Sequence, residues 1–142
     1  MKRNGFTLIE LLAGLLLTTL FVTIATSIYI TGFRQGEDTK KDVDLQQEAN
    51  YIATILRKEY FSKNEYNSGT TYQLTIYTDK IELNGTTVSD KYNYNAEIQY
   101  DNETYETNEA IIVKNKAPVM INIKIIHGND SYTLRTTLSR GV

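Results

Sequence analysis

The feature that most constrains this chain is a run without charge. Residues 11–33 hold no Asp, Glu, Lys, Arg or His, and the run lies between Glu10 and Arg34. As a helix, these 23 residues rising ~1.5 Å each cover roughly 35 Å, enough to cross a hydrocarbon core of about 30 Å. The run reads as a transmembrane helix. Ahead of it stand Met1, Lys2, Arg3, Asn4 and Gly5, a basic leader too short to fold. Lys and Arg do not settle which end stays inside, because Lys2 and Arg3 flank one side while Arg34, Lys40 and Lys41 flank the other.

Glu10 is the anomaly. An ionised side chain costs about 2.5–3.5 kcal/mol at the centre of a membrane helix and less near the interface, so it calls for a reason. On one reading the carboxylate snorkels to the headgroups from the first helical turns, where it also complements the positive helix terminus. On the other, cleavage after Gly5 gives Phe6 a new ammonium, and Glu10 lies four residues along on the same helical face. A different cut is also conceivable: Ala25-Thr26-Ser27 has the small-x-small form of a secretory cleavage site, which would release the chain after Ser27. Gly14, one turn beyond Glu10, is either a close-approach point for a neighbouring helix or an ordinary packing glycine.

At Gly5-Phe6-Thr7-Leu8-Ile9-Glu10-Leu11-Leu12 the chain resembles the class III signal of type IV prepilins and pseudopilins, without a gap. The resemblance implies that a membrane aspartyl peptidase, the prepilin peptidase, cuts between Gly5 and Phe6 and then methylates the Phe6 amine. It implies that Glu10 pairs with the amine of a neighbouring subunit during assembly. It also implies partners: other pilin or pseudopilin subunits, a membrane platform protein and, through it, a cytoplasmic ATPase. The protein would first be a single-pass cell-membrane protein with its head outside the cytoplasm, then part of a surface filament. The small head without cysteine looks most like that of a minor pilin or J-class pseudopilin.

Composition bounds the remainder. The chain has 142 residues and no cysteine, which rules out disulfides and thiolate metal sites within it. From Gln35 onward 12 Lys and Arg stand against 16 Asp and Glu, a net charge of −4 and a poor field for nucleic acid. No direct nucleic-acid binding is expected.

Taken in order, the chain divides into a leader (1–5), a membrane or filament-core helix (6–33), an amphipathic helix (34–61) and a β head (62–142). Gly32 and Gly36 are expected bend or fraying points. Over 37–60, Leu45, Ala49, Ile52, Leu56 and Tyr60 recur at four- and three-residue steps, giving a narrow apolar face, with Asp44, Gln47, Arg57 and Lys58 opposite. The two helical parts join into one helix of about 55 residues. Beyond Asn67-Ser68-Gly69 the period becomes two. Strands are predicted at 71–78, 81–83 and 86–88, with Asn84-Gly85 as a two-residue hairpin turn. Residues 92–110 look least structured, with one strand at 96–100. Ile111-Ile112-Val113 and the sole proline, Pro118, follow. The strongest hairpin is 119–126 with 131–138, turning through His127-Gly128-Asn129-Asp130. The expected fold is α+β and pilin-like: a long amino-terminal helix, half in membrane and half packed on a small antiparallel sheet.

Catalysis finds no foothold. His127 is the sole histidine and falls in a predicted turn, so no His-based relay can form around a second imidazole. Asp101, Glu103, Glu106 and Glu109 lack the ordered alternation of a calcium loop and read as a solvated acidic face, although some pseudopilins bind calcium. Tyr92, Tyr94, Tyr100 and Tyr105 suit either a sticky surface or strand positions. No catalytic residue, metal site or cofactor is assigned. The expected function is structural: a filament subunit serving DNA uptake, motility, adhesion or secretion. The alternative is a membrane-anchored ligand-binding protein that does not polymerise.

Overall fold

The computed structural model describes residues 7–62, 71–114 and 117–139. Among these residues one helix, α1 (Leu8–Ser62), is followed by eight strands: β1 (Thr71–Ile76), β2 (Ile81–Leu83), β3 (Thr86–Ser89), β4 (Asn93–Tyr100), β5 (Glu103–Glu106), β6 (Ala110–Lys114), β7 (Val119–His127) and β8 (Asp130–Leu138). The chain divides after Lys40 into two units.

The first unit is helix alone over its described residues. Every described side chain up to Lys40 is exposed, including Leu8, Ile9, Leu11, Leu15, Leu16 and Phe21. Helix continues through Gly32 and Gly36, so neither glycine ends it. Five hydroxyls in the apolar run are satisfied from within. Thr18 donates to the Gly14 carbonyl at 2.7 Å, Thr19 to Leu15 at 2.8 Å, Thr23 to Thr19 at 2.8 Å, Thr26 to Val22 at 2.8 Å and Ser27 to Thr23 at 2.9 Å. In lipid, where no water can take a proton donor, such back-bonding lets Thr and Ser sit in an apolar helix at small cost.

The second unit is an α+β head of pilin-like architecture. The helical stripe Leu45, Ala49, Ile52, Leu56 and Tyr60 is buried throughout, while Asp44, Gln47, Arg57 and Lys58 are exposed, as the spacing predicts. Full burial of a Leu or Ile side chain contributes about 1.5–3 kcal/mol, so this stripe anchors the core. The strands form two antiparallel sheets of four, in the orders β3-β2-β1-β6 and β5-β4-β7-β8, where the sequence reading has one sheet. Both sheets contribute to a single core with the helix: Tyr72, Leu74, Ile76, Ile81, Ile111 and Val113 from the first, and Tyr94, Ile98, Val119, Ile121, Ile123 and Ile125 from the second.

Turn chemistry sets the register. Asn84 and Gly85 have φ of 54° and 76°, as a two-residue type I′ hairpin turn requires. The Asn84 side chain accepts from the Gln73 amide at 3.0 Å and donates to Glu59 at 2.8 Å, tying the turn to β1 and to the helix. Between β7 and β8 the loop is Gly128-Asn129, with φ of 61° at the glycine, and Tyr132, Leu134 and Leu138 stand opposite Ile125, Ile123 and Val119.

Residues 92–110 depart from expectation. They hold the eight-residue β4, which alternates exposed and buried at every position, a turn at Asp101-Asn102 with φ of 54° and 66°, and β5. Asn93, Asn95 and Ala96 are weak strand formers in isolation, and pairing along the whole length of β7 overrides that preference.

Candidate functional site

Thr7 and Glu10 close the start of α1 as a reciprocal pair. Thr7 precedes the first helical residue, and its hydroxyl accepts from the Glu10 amide at 3.4 Å. The Glu10 carboxylate reaches back to accept from the Thr7 amide and the Thr7 hydroxyl, each at 2.9 Å. The Thr7 carbonyl accepts from the amides of Glu10 at 3.1 Å and Leu11 at 3.2 Å. This is a capping box, in which two amides left without helical partners are satisfied by side chains. Its signal, Thr-x-x-Glu directly before an apolar run, stands in the sequence but is hidden there behind the question of the charge. Glu10 therefore has partners within its own chain, a third account beside snorkelling and pairing with an amine.

Gly5 and Phe6, the expected cleavage and methylation positions, lie outside the described residues. Gly14 is four residues beyond Glu10 on the same face. A Cβ added there meets nothing within 4 Å, so no contact within the described chain requires a glycine. The apolar helix supplies the remaining element, a segment long enough and apolar enough to cross a membrane.

In the head, sequence reasoning missed Glu48. Its side chain is only 4% exposed, one turn beyond Asp44 on the helix. The Ser89 hydroxyl donates to it at 2.5 Å and Lys91 lies 3.4 Å away, while the hydroxyls of Ser89 and Tyr94 meet at 2.7 Å. Hydrogen bonding to Glu48 raises the Lys91 pKa, and burial raises that of Tyr94. The missed signal is a carboxylate adjoining the apolar stripe at Leu45 and Ala49. With its hydrogen bonds made, Glu48 pins the end of β3 and the start of β4 to the helix. The adjoining cleft of about 400 Å³, lined by Asp44, Tyr51, Lys91 and Tyr92 among others, is open to solvent.

The other sequence candidates separate. His127 is exposed at the end of β7, its ring edge-on to Tyr92 at 5.4 Å. Glu103 accepts from the Tyr105 hydroxyl and Glu109 from the Glu106 amide; the acidic residues do not converge, and no metal-holding group occurs among the described residues. Tyr94 and Tyr100 belong to the core, with the Tyr100 hydroxyl bonded to both the amide and the carbonyl of Lys114 at 2.8 Å, so the tyrosine run is mainly a packing feature.

Residues 1–26 match the family model for the prokaryotic N-terminal methylation motif. No curated protein and no solved structure matches the chain. The motif match is to the class III signal peptide of type IV pilins and is confined to residues 1–26; with the apolar helix and the α+β head behind it, it supports a type IV pilin- or pseudopilin-like chain.

Proposed function

We propose that this protein is a structural, non-enzymatic subunit of a type IV pilus-like filament, cleaved after Gly5 and methylated at Phe6 by prepilin peptidase. The observation that carries the reading is the methylation motif over residues 1–26, which includes the start of an exposed apolar helical run whose one carboxylate before Arg34 is Glu10. The precursor waits in the membrane with its head outside the cytoplasm. A membrane platform protein and its ATPase then draw it into the filament. In the waiting state the capping box holds Glu10 on its own helix start. After cleavage the Phe6 ammonium adds positive charge to that same terminus, and the carboxylate of an adjacent subunit neutralises it while fixing how far one helix slides past the next.

Glu10→Gln keeps size and hydrogen-bonding capacity but removes the charge, which lowers the cost of residence in lipid and weakens the inter-subunit pair. Normal cleavage and membrane level with loss of filament incorporation is expected, measured in cells without a wild-type copy. Unchanged incorporation would sink the pairing. Gly5→Val should leave uncleaved precursor in the membrane, because the peptidase needs a residue without Cβ before the cut. Amino-terminal sequencing of the mature protein checks it: a start at Phe6 is expected, and a start at Ile28 would support an ordinary signal peptide.

A further inference from the structure

One sheet of the head has an acidic edge strand, β5, and on its other edge strand, β8, an exposed arginine, Arg135. In the order β5-β4-β7-β8 the outer strands each lack a neighbour on one side among the described residues. Residues 92–113, which supply β4 and β5, hold Glu97, Asp101, Glu103, Glu106 and Glu109 and no lysine or arginine. Residues 117–139, which supply β7 and β8, hold Lys124 and Arg135, both exposed. Their single carboxylate, Asp130, lies 3.9 Å from Lys41. Lys124 and Arg135 make no ion pair among the described residues.

The geometry of the edges matches the charge. Strand direction alternates across the sheet, so β5 runs opposite to β8. A second copy displaced along the sheet brings its β5 antiparallel to the first copy's β8, with the same face outward. Tyr100 and Glu103 flank a two-residue turn and exchange backbone bonds, which leaves the amide and carbonyl of Thr104 facing the open side. By the same count from His127 and Asp130, the backbone groups of Ser131, Thr133, Arg135 and Thr137 face outward on β8. The Glu106 backbone is already taken: its amide donates to the Glu109 carboxylate at 2.8 Å and its carbonyl accepts from the Glu109 amide at 3.1 Å. Main-chain pairing on β5 is thus confined to Thr104, and side-chain charge must carry the rest. Setting Thr104 against Thr137 brings Glu106 opposite Arg135 on the outer face.

We propose that the β5 edge of one head docks on the β8 edge of a second copy of this chain, with Glu106 facing Arg135. The proposal rests on the filament reading above. Such a contact uses two different surfaces and does not close on itself, so it propagates in series. Pairing of β5 with another β5 would set acid against acid. One exposed ion pair is weak and screened by salt. Among subunits already held side by side, effective concentration makes a weak contact sufficient. The same charges keep the edges of free subunits from indiscriminate pairing.

The natural absence of cysteine allows a clean test with the full chain in cells lacking the wild-type copy. A directly opposed, hydrogen-bonded pair has Cα atoms about 5.5 Å apart, within disulfide range. Thr104→Cys combined with Thr137→Cys should yield, on oxidation of sheared filaments, a ladder at multiples of the chain mass, while each single variant stays monomeric. Glu106→Arg should cut the ladder several-fold, and adding Arg135→Glu should restore it. Filaments that contain the double-cysteine variant but give no ladder would overturn the edge contact and leave the filament reading standing. So would dimers from a single variant, or cross-links to a different protein. Absence of parent and variants alike from the filament fraction would overturn the filament reading and the contact with it. Should the cysteine pair fail to accumulate, the charge variants decide alone: Glu106→Arg and Arg135→Glu should each lower filament yield, and failure of the combined variant to recover it overturns the proposal.

Discussion

The segment before Lys41 and the head after it use much the same apolar residues to opposite ends. In the first, Leu, Ile, Val and Phe form an uninterrupted run, and their side chains stand exposed around the helix. In the second, apolar residues recur at helical or strand period among polar ones, and those on the inward face are buried almost completely. A helix apolar all round has no side to hide, so its surface must be met by lipid or by other helices. A helix or strand apolar on one side can bury that side within its own chain. Period, more than hydrophobicity, separates the segment that awaits partners from the one that folds on itself.

The largest expected effects test that separation directly. Ile123→Asp places a charge at a fully buried position of β7 and should cost more than about 4 kcal/mol, abolishing cooperative melting of the head. Leu16→Asp, in the exposed run, should leave head melting unchanged while blocking stable membrane insertion. Circular dichroism of the full chain in detergent and membrane fractionation read the two outcomes. Equal loss of melting in both variants would erase the distinction.

Smaller effects sharpen the account of the head. Glu48→Ala removes the acceptor of Ser89 and the partner of Lys91, and should destabilise by about 1–3 kcal/mol on thermal melting. Its linked pH dependence lies on the alkaline side. Lys91 and Tyr94 both have raised folded-state pKa values. The stability they contribute is fully present below their ordinary values, 10.5 and 10.0, and is lost as pH rises through the raised ones. Lys91→Met should therefore flatten the alkaline fall in melting temperature, measured from about pH 10 upward, where the loss begins.

The smallest effect has the opposite sign. The Tyr72 hydroxyl is buried without a hydrogen-bond partner among the described residues, and burial, reinforced by Tyr60, Tyr100 and Glu59, pushes its pKa well up. Tyr72→Phe removes that unsatisfied group while keeping the ring, and should leave stability unchanged or raise it by up to about 1 kcal/mol. A marked loss on melting would show that the hydroxyl has a partner.

Residue order alone determined the elements with strong periodicity or forced turn geometry. The membrane-length run, the buried stripe from Leu45 to Tyr60, the Asn84-Gly85 turn and the β7–β8 hairpin all rest on interactions between near neighbours in the chain. So does the capping box, which is legible in Thr7-x-x-Glu10 once the helix start is known. Tertiary structure decided the rest. It split the strands into two sheets, made β4 a full eight-residue strand by pairing it along β7, and drew Glu48 to Ser89 across 41 positions of sequence. It also set the acidic strand β5 and the arginine-bearing strand β8 on opposite edges of one sheet. These features depend on which distant segments meet. Local propensity carries no information about such a meeting, because the free energy that rewards it is gained only when the shared core closes.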